Sequence, residues 1–154
     1  MFRSILLHNK GRFAILLNTK TSKKALFFKY WVPVFLYCLL IVYLSSQSYP
    51  DQRLPSFIFG FSDKVLHAFE YGILGILLYR AFKQTNETTR SLSLALICVI
   101  AFGISDEVHQ WFVPHRQADF WDLVADTFGA AFLILVWMFI TEKWRIHQRI
   151  RIKN

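Results

Sequence analysis

Charged side chains are scarce in this sequence, and acidic ones are the scarcest. Only 18% of the 154 residues are charged, whereas 55% are hydrophobic, and ten acidic residues stand against eighteen basic ones. A soluble domain normally has about a quarter of its residues charged and a smaller apolar fraction. The composition therefore excludes an ordinary water-soluble fold, and the length allows one membrane domain.

Cysteine and recognisable catalytic motifs are also nearly absent. Cys38 and Cys98 are the two cysteines, and each lies within an apolar run, where a thiol acts as a small apolar side chain. They give no information about the redox compartment. The sequence has no His-Glu-x-x-His metal motif, and no Ser or Cys nucleophile is placed beside His67. A covalent enzyme and a standard zinc site are therefore disfavoured.

Long apolar runs account for the composition. With one flanking turn, each of four runs reaches the roughly 17 to 25 residues of a membrane-spanning helix. They are Trp31–Leu44, Val65–Tyr79, Leu92–Ile104 and Leu123–Ile140. We therefore predict an all-α fold, an integral membrane four-helix bundle over residues 30–141, between a basic N-terminal tail, 1–29, and a basic C-terminal tail, 142–154.

The distribution of Lys and Arg predicts the orientation of this bundle. Seven precede the first run, three lie between the second and third, and five follow the fourth, which makes fifteen. The other two connections contain only Arg53, Lys64 and Arg116. This alternation is the positive-inside pattern, so both termini are predicted to be cytoplasmic. It also accounts for the net charge of +8 without a nucleic-acid partner.

The acidic residues concentrate in one stretch, SDEVHQWFVPHRQADFWDLVAD, Ser105–Asp126. It contains five of the ten acidic residues and two of the five histidines. Pro114 is expected to end the third helix, because proline cannot continue helical hydrogen bonding. The connection that follows is short, so the third and fourth helices are predicted to be antiparallel neighbours.

Helical spacing brings polar residues of three helices to one end of the bundle. Side chains three or four residues apart share a helix face. Such sets are His67 with Glu70, Asp106 with His109 and Gln110, and Asp119 with Asp122 and Asp126. Glu107 points about 100° away from Asp106 and is expected to face another neighbour. Because all three sets lie near the outer membrane surface, we predict one shared polar site.

Small residues predict close helix packing below this site. Small side chains let membrane helices approach until their backbones nearly touch. The pairs are Gly72 and Gly75 on the second helix, Ala101 and Ser105 on the third, and Ala125 and Gly129 on the fourth.

Two segments, SDKVLHAFEYGILG (Ser62–Gly75) and SDEVHQWFVPHRQADFWDLVADTFGA (Ser105–Ala130), resemble motifs of the VanZ-like membrane proteins. The resemblance implies a multi-pass protein of the bacterial cytoplasmic (inner) membrane. The protein after which this family is named is linked to teicoplanin resistance. His115 stands where that family usually has a turn glycine. The matching positions are Asp63, Lys64, His67, Tyr71, Asp106, Glu107, Gln110, Arg116, Asp122 and Asp126.

The role of the polar site is open between four hypotheses. Charges at membrane depth are costly, so they are either paired or used. In a purely structural network, Arg116 is expected to bind Asp119 or Asp122, and His67 to meet Asp106, with Lys64 paired to an acid. Such pairing leaves carboxylates over. These could hold a divalent metal, for which the candidates are His67, Glu70, Asp106, His109, Asp122 and Asp126.

The remaining hypotheses are an enzyme and a binding protein, and the sequence does not decide whether the protein is an enzyme. A histidine beside a carboxylate suits acid-base catalysis on a lipid-linked envelope precursor. An acidic site facing outward suits the cationic group of an amphiphile such as a lipoglycopeptide. We favour binding that modulates the cell envelope or glycopeptide susceptibility, because the acids outnumber their partners and include no nucleophile.

Overall fold

The computed structural model describes residues 23–47, 63–84 and 88–153. These ranges contain four α-helices and no strand. The helices are α1 (Lys23–Ser45), α2 (Asp63–Phe82), α3 (Thr88–Trp111) and α4 (Phe120–Lys153). Each is long and apolar enough to cross a membrane. The predicted all-α membrane fold is therefore confirmed, while the orientation of its termini stays a prediction.

The helices extend beyond the apolar runs from which they were predicted. α4 has 34 residues and is about 51 Å long at 1.5 Å per residue, whereas a bilayer core is about 30 Å thick. The apolar run marks only the part of a helix that lies in hydrocarbon. Residues 142–153 of the basic C-terminal segment continue α4 as helix.

α2 packs against α1, α3 and α4, and its contact with α4 is the most extensive between any two of the described helices. Its crossing with α4 is very close. A Cβ on Gly129 would lie 2.0 Å from the carbonyl oxygen of Ala68, so only glycine fits there. Gly72 and Gly75 also face α4, at Leu133 and Ala130 respectively. Small residues therefore set the distance between these two helices, as predicted.

The small residues of α3 were assigned to the wrong face. Ala101 and Ser105 are exposed, whereas Gly103 is buried against Leu123 of α4. The four-residue spacing of Ala101 and Ser105 identifies a common helix face without showing which neighbour that face meets. On α3 the packed face follows Ala95, Val99 and Gly103 instead.

The core lies between the helices, and the outer surface is apolar. Tyr71, Leu74, Val99 and Ile134 are completely buried. Many large hydrophobic side chains on the outside are more than half exposed, Phe128 among them. Lipid solvates such side chains as well as a protein core does, so helix association depends on close packing and polar contacts. The polar residues described below therefore help to hold the bundle together.

A tight turn joins α3 to α4. α3 ends at Trp111, before Pro114 as expected. The Arg116 N–H donates to the Val113 carbonyl at 3.2 Å, and His115 between them has φ 64°. Proline second and a positive φ third are the pattern of a type II turn, which favours glycine at the third position. The turn places Asp119 directly before α4.

Candidate polar site at one end of the bundle

Lys64 joins the start of α2 to the start of α4. Its Nζ donates to Asp119 Oδ2 at 2.6 Å and to Asp122 Oδ1 at 2.7 Å. Lys64 and Asp119 are partly exposed, whereas Asp122 is buried, so the ammonium group reaches from the surface to a buried carboxylate. One cation therefore pairs with two acids at the entrance to the site, which leaves this group of three side chains with a net negative charge.

Asp119 also caps α4. Its Oδ1 accepts a hydrogen bond from the Trp121 N–H at 2.9 Å, and its own N–H donates to Glu107 Oε2 of α3 at 2.7 Å. The first bond is that of an N-cap aspartate. The hydrogen bonds from Lys64 and then from Trp121 hold the pKa of Asp119 below its usual range. Glu107 thus contacts a different neighbour from Asp106, as predicted.

His67 lies one turn deeper on α2 and contacts two acids of α4. Its Nδ1 is 3.1 Å from Asp126 Oδ1, and its Nε2 is 3.9 Å from Asp122 Oδ2. All three side chains are buried. The sequence had indicated Asp106 as the partner of His67, whereas the acids found beside it are Asp126 and Asp122 of α4. The stripe of acids on α4 was identified correctly, but helical spacing does not determine the register between two helices.

α3 contributes the pair Asp106 and Gln110 to the buried part of the site. Gln110 Nε2 donates to Asp106 Oδ2 at 3.0 Å, and both residues are buried. His109 was expected on the same face, but it reaches the residue that follows α1, where its Nε2 lies 3.0 Å from Ser46 Oγ. The Ser46 hydroxyl donates to Val42 O, so His109 is the donor in this contact. The predicted face is therefore shared between the site and α1.

Several buried oxygen atoms in this cluster have no hydrogen-bond partner among the described residues. They are Glu70 Oε1, Tyr71 Oη, Asp106 Oδ1, Glu107 Oε1 and Asp126 Oδ2. Tyr71 is completely buried, and its ring lies parallel to that of His67 with centroids 6.4 Å apart. Four of the five are carboxylate oxygens, which accept hydrogen bonds strongly and are costly to leave unpaired. The hydrogen bonds among the described residues thus satisfy only some of the buried acceptor oxygens of this cluster.

Arg116 does not have the contacts predicted for it. Lys64 occupies both Asp119 and Asp122, and Arg116 Nε is buried without a partner among the described residues. Arg116 still lies within electrostatic range of Glu70. The prediction that Arg116 forks onto the acids of α4 is therefore wrong, because Lys64 at the start of α2 faces those acids directly.

An open cleft leads from the end of the bundle to the cluster. Its volume is about 740 Å³, and Gln110 and Asp122 are its buried polar residues. His115, Arg116, Gln117, Ala118 and Asp119 complete the lining. Charged groups of both signs therefore surround the entrance. Asp63 begins α2, but its side chain lies outside the described part of the structure.

The six metal candidates are not arranged as a metal site. In the three described ranges, no group of three or more His, Cys, Asp or Glu side chains is placed to hold a metal ion. Lys64 takes carboxylate oxygens of Asp119 and Asp122 at the entrance. His109 is directed to α1 and away from the other candidates.

Comparison with known proteins identifies the family. The VanZ/LLP1 family model matches residues 16–141, most of the chain. This chain belongs to the VanZ/LLP1 family. Over 75 residues it is 29% identical to an uncharacterised protein of Schizosaccharomyces pombe (strain 972 / ATCC 24843). The aligned segment covers 49% of this chain and 46% of the relative. The chain thus spans about half the length of the curated relative it matches, and no solved structure matches it.

The VanZ/LLP1 assignment confirms the resemblance seen in the sequence, and the yeast relative leaves the expected bacterial origin a prediction. The geometry explains one departure from the family motif. His115 has the positive φ that glycine adopts most readily, so it occupies the conformation expected of the family's turn glycine. The turn is therefore kept despite the substitution.

Two parts of the VanZ/LLP1 site were missed in the sequence. Ser46, which directly follows α1, contacts His109, and the sequence YLSSQS was the available signal. Gly103 leaves room for the acidic cluster, because a Cβ there would lie 3.2 Å from Asp126 Oδ2 and 3.6 Å from the Tyr71 ring. Its position three residues before Asp106 was the signal for it.

Proposed function

We propose that the polar end of this VanZ/LLP1 protein binds the cationic group of an amphiphile at the membrane surface. The single observation that carries the proposal is the set of buried carboxylate oxygens without partners. Asp106 is 5% exposed and Asp126 is 1% exposed, and each has one oxygen that accepts no hydrogen bond from the described residues. A ligand ammonium group supplies the donors that these oxygens lack.

The charge balance of the cluster supports a cationic ligand. Its fixed cations are Lys64 and Arg116. Its acids are Glu70, Asp106, Glu107, Asp119, Asp122 and Asp126. Six acids against two fixed cations favour entry of positive charge, and low-dielectric surroundings strengthen that attraction. An anionic ligand such as a lipid pyrophosphate would be repelled by the same charges.

Lys64 demonstrates the chemistry on which the proposal depends. Its primary ammonium group lies within 2.6 and 2.7 Å of two carboxylates of α4, so their spacing suits an alkyl ammonium. The side chain of Lys64 is 45% exposed and can move aside when a ligand amine enters by the cleft. The amine then has Asp119 and Asp122 at the entrance, and Asp106 and Asp126 lie one helical turn from the lining residues Gln110 and Asp122.

The proposed setting is the outer surface of a cytoplasmic membrane. The positive-inside distribution of Lys and Arg supports cytoplasmic termini, which direct the acidic end outward. An amphiphile suits this position because its apolar part can remain in the bilayer. The resemblance to the VanZ-like proteins, whose namesake is linked to teicoplanin resistance, supports a lipoglycopeptide or a similar envelope compound as ligand, with a role in the cell envelope and antibiotic susceptibility.

The alternative function is acid-base catalysis on a lipid-linked envelope precursor. The contact that favours it is His67 Nδ1 with Asp126 Oδ1 at 3.1 Å, since a carboxylate can orient an imidazole as a general base. However, His67 Nε2 also faces a carboxylate, that of Asp122 at 3.9 Å. Both ring nitrogens are thus directed at acids, so neither is turned towards a substrate as a general base would be.

Binding to the purified protein in phosphatidylcholine nanodiscs tests the proposal. Teicoplanin, which has both an amine and an acyl chain, serves as the probe, and its N-acetylated form serves as the uncharged control. We expect Asp126→Asn to weaken teicoplanin binding on the order of tenfold, as for loss of one charge-assisted hydrogen bond. Binding should also weaken as salt is added.

Glu142→Gln is the matched control, because it removes an acid at the opposite end of α4. It should leave teicoplanin binding unchanged. Equal binding of teicoplanin and its N-acetylated form would contradict the proposal, as would unchanged affinity in folded Asp126→Asn. A lipid precursor that the purified protein consumes, and that Asp126→Asn does not, would establish the enzyme alternative.

A further inference from the structure

A second pocket lies at the opposite end of the bundle and is basic. It has a volume of about 510 Å³ and lies where α2 ends and α3 begins, with α1 on one side and α4 on the other. Its lining includes Tyr30, Arg80, Lys83, Trp137, Glu142 and Arg145. Three cations and one acid thus surround a pocket with aromatic walls, which is the reverse of the acidic site.

Arg80 is fixed in the middle of this pocket by two aromatic rings. Its guanidinium carbon is 5.9 Å from the centroid of Tyr30 on α1 and 5.5 Å from that of Trp137 on α4. Stacking of this kind orients the planar guanidinium group and leaves its N–H donors available at the edges. Among the described residues, no ion pair uses Arg80, Lys83 or Arg145.

Lys83 is held in place by neutral groups only. Its Nζ donates to the Tyr79 hydroxyl at 3.0 Å and to Thr88 of α3, which keeps the ammonium group at the pocket. Arg145 lies one turn beyond Thr141 on α4 and is exposed. Glu142 is the acid that lines the pocket, so the lining retains an excess of two positive charges.

We propose that this basic pocket binds the phosphate headgroup of an anionic phospholipid. Phosphate oxygens accept hydrogen bonds from a guanidinium fork and from an ammonium group, which are the donors present. Trp137, Met138 and Phe139 line the same pocket and provide an apolar wall for an acyl chain. Basic pockets between transmembrane helices are suited to lipid headgroups in this way.

The position along the helices favours a lipid over a soluble phosphate. Trp137, Met138 and Phe139 lie within the membrane-spanning segment of α4, Phe120–Gln148. Arg80 lies in the last turn of α2, near the end of its membrane-spanning segment. The pocket thus extends from the apolar part of the bundle to its basic end. An anionic phospholipid has the matching arrangement, with an apolar acyl chain next to a charged phosphate.

Native mass spectrometry of the delipidated full-length protein tests this proposal. Phosphatidylglycerol and phosphatidylcholine with identical acyl chains are titrated in parallel, and phosphatidylglycerol should bind more tightly. Lys83→Gln and Arg145→Gln should each weaken phosphatidylglycerol binding about fivefold, as expected for one charge near a membrane surface. Arg145 is exposed, so Arg145→Gln remains informative even if changes at Arg80 or Lys83 impair folding.

Arg90→Gln is the control for general surface charge, because Arg90 is an exposed cation near the start of α3 that does not line the pocket. It should leave phosphatidylglycerol binding unchanged. The proposal is overturned if both lipids bind equally, or if Arg90→Gln weakens binding as much as Arg145→Gln. Full competition by millimolar glycerol phosphate would also overturn it, because the pocket would then take a soluble phosphate.

Discussion

The two ends of this bundle use charge in opposite ways. At the acidic end, side chains of α2 and α4 contact each other directly, as in the pairs Lys64 with the buried Asp122 and His67 with Asp126. At the basic end, Arg80 makes no ion pair within the described residues and lies between two aromatic rings instead. The acids thus join helices to one another, whereas the cations remain available to groups outside the protein.

This difference follows from the depth of the charged groups. A buried carboxylate needs hydrogen-bond donors inside the protein, and the acidic end supplies too few for Asp106 and Asp126. A long basic side chain can reach the headgroup region and meet lipid phosphate there. The two proposals accordingly place ligand recognition at the acidic end and contact with membrane lipid at the basic end.

Separating α2 from α4 is expected to have the largest effect, because their crossing connects the two ends. In Gly129→Ala the new Cβ would lie 2.0 Å from the carbonyl oxygen of Ala68, within the α2 backbone. We expect destabilisation of more than about 3 kcal/mol, the upper range for overpacking. This destabilisation should appear as a lower yield of monodisperse protein in size-exclusion chromatography than for the wild type.

Gly72→Ala is the matched control for this prediction. Its Cβ would meet the Leu133 side chain at 2.5 Å, and the end of a leucine can rotate away, whereas the nearest backbone atom, the Gly129 carbonyl oxygen, is 3.1 Å away. Gly72→Ala should therefore give substantially more folded protein than Gly129→Ala. Equal yields of the two variants would contradict the assignment of Gly129 as the contact that sets the helix separation.

Removing Lys64 should destabilise the acidic end more than removing Arg116. Lys64→Gln leaves the buried Asp122 without its cation, whereas Arg116→Gln removes no ion pair present in the described structure. Thermal unfolding in detergent should show the larger fall in Tm for Lys64→Gln. A larger fall for Arg116→Gln would restore the pairing of Arg116 that was predicted from the sequence.

Lowering the pH is expected to have a smaller effect on stability, through protonation of Asp119. Because Lys64 lowers its pKa in the folded protein, Asp119 stabilises the fold above its unfolded pKa of about 3.9. This stability is lost as the pH falls through the lower, folded pKa. The Tm difference between wild type and Asp119→Asn should thus be constant near neutral pH and shrink below about pH 4. A difference that grows on acidification would contradict this assignment.

The sequence predicted the fold and the members of the polar site better than their contacts. The length of the apolar runs predicted four helices, and three- and four-residue spacings identified the stripe of Asp119, Asp122 and Asp126. Spacing along one helix does not determine its register against another. For that reason His67 was paired with Asp106, whereas it contacts Asp126.

Local turn chemistry was easier to predict than packing. Pro114 correctly indicated the end of α3, and the positive φ of His115 agrees with a position where glycine is usual. The packed face of α3 was harder, because Gly103 and Ala101 are both small and only one of them faces α4. Composition alone does not distinguish a small residue facing a helix from one facing lipid.

Accessibility of the cleft in intact bacterial protoplasts tests the central claim most directly. Gln117 lines the acidic cleft and Gln84 lines the basic pocket, and both are exposed. Single cysteines at these positions, with Cys38 and Cys98 changed to Ala, are treated with a membrane-impermeant thiol reagent. We predict that Gln117→Cys reacts in intact protoplasts, that teicoplanin slows this reaction, and that Gln84→Cys reacts only after lysis. Reaction of Gln84→Cys in intact protoplasts, with Gln117→Cys protected until lysis, would contradict an outward-facing acidic site.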